Sequence, residues 1–299
     1  MKDVNNFLLS IIIPVLITEN NKMEKYLQRC IDSLLKQKDF NTFVNQFEVI
    51  IVDDHSYDQT LVDQITFGPI HYTILKNKTN LGIGGARNVG LDNANGKWIW
   101  YFDGDDYFKD DCLTRLFRNI SVLTNDVKLV FTQFDSLKNV NNQDIYEHIT
   151  LKDLPNYATT PVSSCCKLIR KDIAVKHPEH VYMEDVVFHY KQLDVIDKGL
   201  EVAIFNDGPY WIYDLRRETN FTRTSLWLQM NKLTIEQHLR NGDFMEKQGL
   251  KRRAISDTFR LVAELFDLIP LLKHDLVRNT AASRLVHIVD KIKCENYTH

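Results

Sequence analysis

Glycine and proline are scarce in this chain, 11 and 7 of 299 residues, which excludes collagenous and low-complexity architectures. Neither sign of charge dominates. Against 37 Lys and Arg stand 40 Asp and Glu, a formal charge of -3, so binding of nucleic acid through bulk positive charge is not expected. Cysteine is sparse too: Cys30, Cys112, Cys165, Cys166 and Cys294 are odd in number and form no CxxC pair. That argues against a disulfide framework or a zinc knuckle and fits a reducing, cytoplasmic setting. Long hydrophobic runs are missing. The longest, Phe7 to Ile17, is interrupted by Ser10 and Pro14 and falls short of the roughly 20 residues that span a bilayer. It lacks a basic start and a small-residue cleavage site, so no secretory leader is expected.

What is present is a globular composition, 44% hydrophobic, 11% aromatic and 26% charged, enough for one sizeable core and an appendage. The first half alternates between two hydrophobic periods, the pattern of a parallel sheet covered by helices. Leu8 to Val15, Phe47 to Val52, Tyr72 to Lys76 and Trp98 to Phe102 read as buried strands. Leu27, Cys30, Ile31, Leu34 and Leu35 recur at helical spacing after the first, and Leu113, Leu116, Phe117 and Ile120 after the fourth. A further strand is expected at Lys128 to Phe134, then shorter strands and turns to Asp214, with one helix beginning near Asp185. Beyond Ser225 the pattern becomes all-helical through Trp227 to Leu239, Ile255 to Leu272 and Leu276 to Ile292, with a break at Pro270. Residues 226–299 carry 12 basic and 9 acidic residues, a balance of +3, which leaves -6 for residues 1–225. Two regions are therefore expected: 1–225, an α/β unit, and 226–299, a helical region.

In an open parallel sheet, ligands bind outside the carboxyl ends of the strands. The second strand ends in Asp53-Asp54-His55-Ser56 and the fourth in Asp103-Gly104-Asp105-Asp106. Two acidic clusters on neighbouring strand ends repel each other unless a cation or a donor-rich ligand lies between them. Mg²⁺ or Mn²⁺ held by one or two carboxylates together with substrate phosphates suits the Asp-x-Asp at 103–105. A calcium loop is excluded, because its sixth position is Phe108 where glycine is required. The segment from Asn80 to Gly90 fails the dinucleotide fingerprint, since Arg87 stands three residues after Gly84. Its small residues suit either approach to a phosphate, with Arg87 adding a charged bond, or close packing of a helix on the sheet.

Taken together, LSIIIPV at 9–15, EVIIVDDHSYDQT at 48–60, NLGIGGARNVGL at 80–91 and GKWIWYFDGDDYF at 96–108 resemble the family 2 glycosyltransferases in both order and spacing. SSCCKLIRKDI at 163–173, VYMEDVVFHY at 181–190 and YDLRRETNFTRTS at 213–225 extend the likeness to about residue 225. The resemblance implies a GT-A fold, a Rossmann-like, mostly parallel central sheet flanked by helices. It also implies a nucleotide-diphosphate sugar donor, most often a uridine one, a divalent metal (Mn²⁺ or Mg²⁺), and inversion at the anomeric carbon. Carried onto this chain, it puts Pro14 and Val15 at the nucleoside, and Asp54, or else Asp53, at the base. Asp103 falls near the ribose or metal with Gly104 in the same turn, Asp105 on the metal, and Asp106 beside the sugar. Arg87 orients these carboxylates or the sugar, Asp185 is the general base, and Glu184 holds a hydroxyl or a backbone amide. The helix-terminal charge of Glu184 and Asp185 would also stabilise a helix by itself.

Leu16 and Ile17 replace the aromatic and Asn often found in the family after the first strand, and the His that many related enzymes supply after the last strand is missing from Tyr213, Asp214, Leu215 and Arg216. Arg216, Arg217 or Arg223 are left to reach the diphosphate. A sugar nucleotidyltransferase would by resemblance need a Gly-rich basic loop after the first strand, and Pro14 to Thr18 has neither feature. A non-catalytic carbohydrate-binding or assembly protein of the same fold is the other alternative. The implied partners are a nucleotide sugar and a glycan, polyol-phosphate or lipid-linked acceptor such as a cell-wall or capsule polymer. The basic Lys247, Lys251, Arg252 and Arg253 offer a peripheral contact with the cytoplasmic face of a membrane, or with a second subunit.

Overall fold

A strand that carries apolar residues on both of its faces can be satisfied only if both faces are covered. In β1 (Leu9–Val15), all seven residues are buried. Leu9, Ile11, Ile13 and Val15 enter one core and Ile12 enters the other. β2 (Phe47–Asp53) divides the same way, with Phe47, Val49 and Ile51 on the first face and Ile50 and Val52 on the second. The computed structural model describes residues 7–140, 143–149, 163–179, 184–196 and 201–216.

β1 pairs in parallel with β2 on one side and with β4 (Trp98–Tyr101) on the other. β3 (His71–Lys76) adds to β2. Helix α1 (Met23–Leu35) buries Leu27, Cys30, Ile31 and Leu34 on the first face. The short helices α2 (Phe40–Phe43) and α3 (Thr60–Asp63) flank β2, and α4 (Gly82–Asn93) lays Ala86 and Leu91 on the second face. Beyond β4 come β5 (Tyr107–Phe108), α5 (Cys112–Ser121), β6 (Val127–Val140), β7 (Gln143–Ile149), β8 (Lys167–Arg170), α6 (Glu184–Ile196) and β9 (Glu201–Asp214). α5 packs Leu113, Leu116, Phe117 and Ile120 on the first face, and Phe188 of α6 packs on the second. The sheet order is β3-β2-β1-β4-β8-β6-β9-β5, with β7 on β6. Among the described residues no helix is long and apolar enough to cross a membrane.

The structure corrects the sequence reading in three places. β3 is an edge strand, not a buried one: His71, Tyr72, Thr73 and Lys76 are exposed, and the Tyr72 ring stacks on Phe67 at 4.0 Å. The sheet is mixed, since β4–β8, β6–β8, β6–β7 and β5–β9 are antiparallel, an arrangement that needs no helical crossover between neighbours. Finally, β6 runs past Phe134 to Val140 because its polar end, Lys138 and Asn139, pairs with β7. The expected tail helices of 226–299, with Arg217 and Arg223, lie outside the described residues.

Candidate active site

The chain runs from β1 outward to β2 and β3, then returns to β4 on the other flank of β1. That reversal makes a crevice at the carboxyl ends of β1, β2 and β4. Pro14 and Val15 lie there opposite Val52 and Asp53. The buried Asp53 accepts the Ser56 amide at 2.9 Å through Oδ1, and its Oδ2 is buried with no hydrogen-bond partner among the described residues. Asp54 is differently occupied. Its Oδ1 accepts from Asn77 Nδ2 and from the Leu81 amide, each at 2.8 Å, tying the end of β2 to the loop that enters α4.

The glycines of α4 act as close-packing residues. A Cβ on Gly84 would stand 2.2 Å from the Pro178 carbonyl oxygen, and one on Gly90 would stand 2.3 Å from Ile12 Cγ2. This approach carries Arg87, which is 2% exposed, beneath the acidic turn. There Nη2 donates to Asp103 Oδ1 at 2.8 Å, and Nη1 donates to Glu184 at the start of α6. Burial opposes the guanidinium charge, but the Asp103 and Glu184 carboxylates outweigh it and hold Arg87 above its ordinary value. Burial in turn raises the Glu184 carboxyl, against the pull of Arg87. Asp185 follows in the first turn of α6, half-buried. One arginine thus joins the turn after β4 to the Glu-Asp pair.

Within the turn, Asp106 is buried and accepts the Asp214 amide at 3.1 Å through Oδ1, while Oδ2 is buried with no hydrogen-bond partner among the described residues. Burial, reinforced by Asp103, raises its pKa well above the usual carboxylate range. Ligand atoms of Asp103, Asp106 and Cys165 lie within 4.8 Å of one another. The two carboxylates suit a hard divalent ion, and the orphaned Asp106 oxygen is the kind of atom such an ion satisfies. Cys165 does not suit it, because burial lifts its thiol far above the usual value and a protonated sulfur is a poor donor to Mg²⁺ or Mn²⁺. Asp105, expected on the metal, stands outside this group, and its backbone carbonyl is held by Arg29. Gly104 sits over Ile13, Met23 and Leu27.

Arg216 is engaged with protein carboxylates, bonding Asp214 at 2.8 Å and Asp144 at 2.6 Å. The sequence reading missed Arg29 and Asp214, which meet across 185 positions and leave no local signal. It also passed over Lys167. This residue is 1% exposed, donates to the Ser163 carbonyl at 3.1 Å and lies 5.9 Å from the Phe188 ring centre. Burial pulls its ammonium down to about 8. A lone cation inside the apolar run CCKLI was the available signal.

A mixed sheet of this order, with an acidic turn at its switch point, is similar in fold to solved glycosyltransferase structures. TarS of Staphylococcus aureus, residues 1–349 in complex with UDP-GlcNAc, superposes with a TM-score of 0.57 over 97% of this chain and 93% of that one, at 19% identity. The mannosyltransferase PcManGT of Pyrobaculum calidifontis, in complex with GDP-Man and Mn²⁺, gives 0.56 over 95% and 86%, at 13% identity. The chain belongs to glycosyl transferase family 2, whose profile matches residues 10–177. In sequence it is 25% identical over 293 residues to the cholesterol galactosyltransferase of Borreliella burgdorferi, covering 88% of this chain and 79% of the relative. It is 28% identical over 221 residues to the poly(ribitol-phosphate) β-N-acetylglucosaminyltransferase TarS, covering 70% of this chain but 36% of that longer protein.

Proposed function

We propose that the protein is a metal-dependent, inverting glycosyltransferase that moves a hexosyl or N-acetylhexosaminyl group from a uridine-diphosphate sugar to a hydroxyl of a cell-surface polymer or lipid-linked acceptor. The observation that carries this is Arg87, buried between Asp103 and Glu184, which puts the acidic turn and the Glu184–Asp185 pair on one crevice. In this reading Pro14, Val15 and the unpartnered oxygen of Asp53 receive the nucleoside. Asp103 and Asp106 would hold Mn²⁺ or Mg²⁺. Such an ion, when bound, supplies charge neutralisation of the leaving diphosphate. The acceptor oxygen attacks the anomeric carbon from the face opposite the diphosphate, the bond to the diphosphate breaks, and the acceptor's proton passes to Asp185. Glu184 is spoken for by Arg87 and orients the cluster.

The relatives support the donor and acceptor classes: TarS is named for a polyol-phosphate acceptor and has been solved with UDP-GlcNAc, and the Borreliella protein is named for a sterol. Residues 1–225 then form the catalytic unit. Residues 226–299 serve acceptor or membrane contact on the cytoplasmic face.

Thermal stabilisation and turnover against a panel of sugar nucleotides with Mn²⁺ test the reading. A uridine-diphosphate sugar should stabilise the protein and be consumed, and no response to any nucleotide sugar would overturn it. Donor binding without turnover on any acceptor would favour the carbohydrate-binding alternative. Asp185→Asn should cut transfer by about 10²- to 10⁴-fold while donor binding stays intact; unchanged turnover would remove Asp185 from the role of base.

A further inference from the structure

Arg29, on α1, shares no motif with the acidic turn, yet its guanidinium spans two parts of the site's support. Nη2 donates to the backbone carbonyl of Asp105, and Nη1 donates to the side chain of Asp214 at the end of β9. The same Asp214 donates its backbone amide to Asp106 Oδ1 at 3.1 Å. A closed path therefore runs from Arg29 through Asp105 and Asp106 to Asp214 and back to Arg29. The Arg29 guanidinium lies 4.6 Å from the Tyr107 ring centre and 5.3 Å from that of Tyr26, which fixes its plane. Asp214 is 1% exposed at its side chain and is also bonded by Arg216 Nε at 2.9 Å and Nη2 at 2.8 Å. Burial works against the Asp214 charge, but its bonds from Arg216 and the nearby Arg29 prevail and keep it ionised below the ordinary carboxylate range.

We infer that Arg29 and Asp214 are positioning residues that set the affinity of the Asp103–Asp106 turn for its divalent ion and the nucleoside diphosphate, by fixing the backbone of Asp105 and the carboxylate of Asp106. Neither residue touches the substrate in this scheme; each acts through the turn. The Asp106 amide donates to the Asp103 carbonyl at 3.1 Å, which closes the turn, and the Asp106 carboxylate is steadied among the described residues by the Asp214 amide, so releasing Asp214 would free that carboxylate to move away from Asp103. The guanidinium is suited to the task because a planar fork can hold two acceptors at once, whereas an ammonium is a point charge.

The inference rests on the proposed function, and the experiment separates the two. Mn²⁺ binding and Mn²⁺-dependent UDP binding are measured by titration calorimetry on the full chain, for the wild type, Arg29→Met, Arg29→Lys and Asp214→Asn. Expected is a loss of about tenfold or more in Mn²⁺ affinity for Arg29→Met and Asp214→Asn, the size seen when groups supporting a metal's ligands are removed. Arg29→Lys should recover only part of it. Transfer assays should show the loss in the Mn²⁺ activation constant and the donor KM, with kcat at saturating metal and donor changed much less. If Arg29→Met fails to fold, Arg29→Lys and Asp214→Asn decide the matter. Wild-type affinities in folded variants would overturn the positioning role and leave the proposed function standing. A wild type that binds neither Mn²⁺ nor UDP would overturn both.

Discussion

Glu48 lies far from the acidic turn, at the amino-terminal side of the sheet, and there one carboxylate organises three segments. Its Oε1 accepts from Ser10 Oγ at 2.6 Å and from the Asn95 amide at 2.6 Å, while Ser10 Oγ accepts the Gly96 amide at 2.7 Å. Ser10 and Glu48 are direct partners in the β1–β2 register, and both are buried. Glu48→Ala would leave the Asn95 amide and the Ser10 hydroxyl without that acceptor. The expected cost is about 3 kcal/mol, read as a lower urea midpoint with an unchanged slope, and Glu48→Gln should recover part of it. Residues like this were invisible in the sequence because a single Glu in FEVIIVD has no local partner to announce it. The same holds for Arg29 with Asp214. Arg87 was set beside the carboxylates or the sugar only by the family resemblance, because its own segment suited a phosphate contact or a packing surface equally well. Asp53 and Asp54 were legible only as a pair: both carboxylates are buried, and the hydrogen bonds of Asn77 and Leu81 to Asp54, which distinguish it from Asp53, come from a distant loop.

At the scale of elements, hydrophobic period decided most of what could be read. β1, β2 and β4 were found within a residue because strands covered by helices on both faces read as near-continuous apolar runs, interrupted here by Ser10 in β1 and Glu48 in β2. β3 has a similar composition but lies at the edge, and composition does not encode which strand is last. The α4 helix illustrates a second limit, since its glycines suited both a phosphate cradle and a packing surface until the position of Ile12 was known. Gly90→Ala makes the packing function measurable. Alanine favours a helix over glycine by about 1 kcal/mol, so an unobstructed site would be stabilised. Here the added methyl meets Ile12 Cγ2 at 2.3 Å in the centre of β1, and the variant should instead lose about 1–3 kcal/mol. Combining it with Ile12→Ala should cost less than the sum of the two single changes, because the truncated strand residue makes room for the methyl. Additive losses in denaturant titrations would place the strain elsewhere.

Across the molecule, the second core face and the candidate site are joined through His177, and this gives the fold a titratable weak point. The His177 ring stacks on Phe188 of α6 at 3.6 Å and meets Tyr101 of β4 edge-on at 4.7 Å. Its Nε2 lies 3.1 Å from Ser164 Oγ, and its backbone amide donates to Asn88 of α4 at 2.8 Å. Burial, with the charges of Arg87, Lys167 and Lys191 added, holds the imidazole well below its usual 6.5. The folded protein therefore keeps His177 neutral while the unfolded chain takes up a proton below 6.5. Between the usual value and the depressed folded one, the unfolded state binds more protons, so stability must fall as pH falls. Glu184 works in the opposite direction. Its folded pKa is raised by burial, so the folded state takes up a proton before the unfolded chain does, and acidification through that window favours folding. The two can be told apart by sign in melting temperatures recorded from pH 7 to pH 5. His177→Gln should flatten the acid decline and Glu184→Gln should steepen it. An unchanged slope in His177→Gln would mean that the decline between pH 7 and pH 5 originates in groups other than His177.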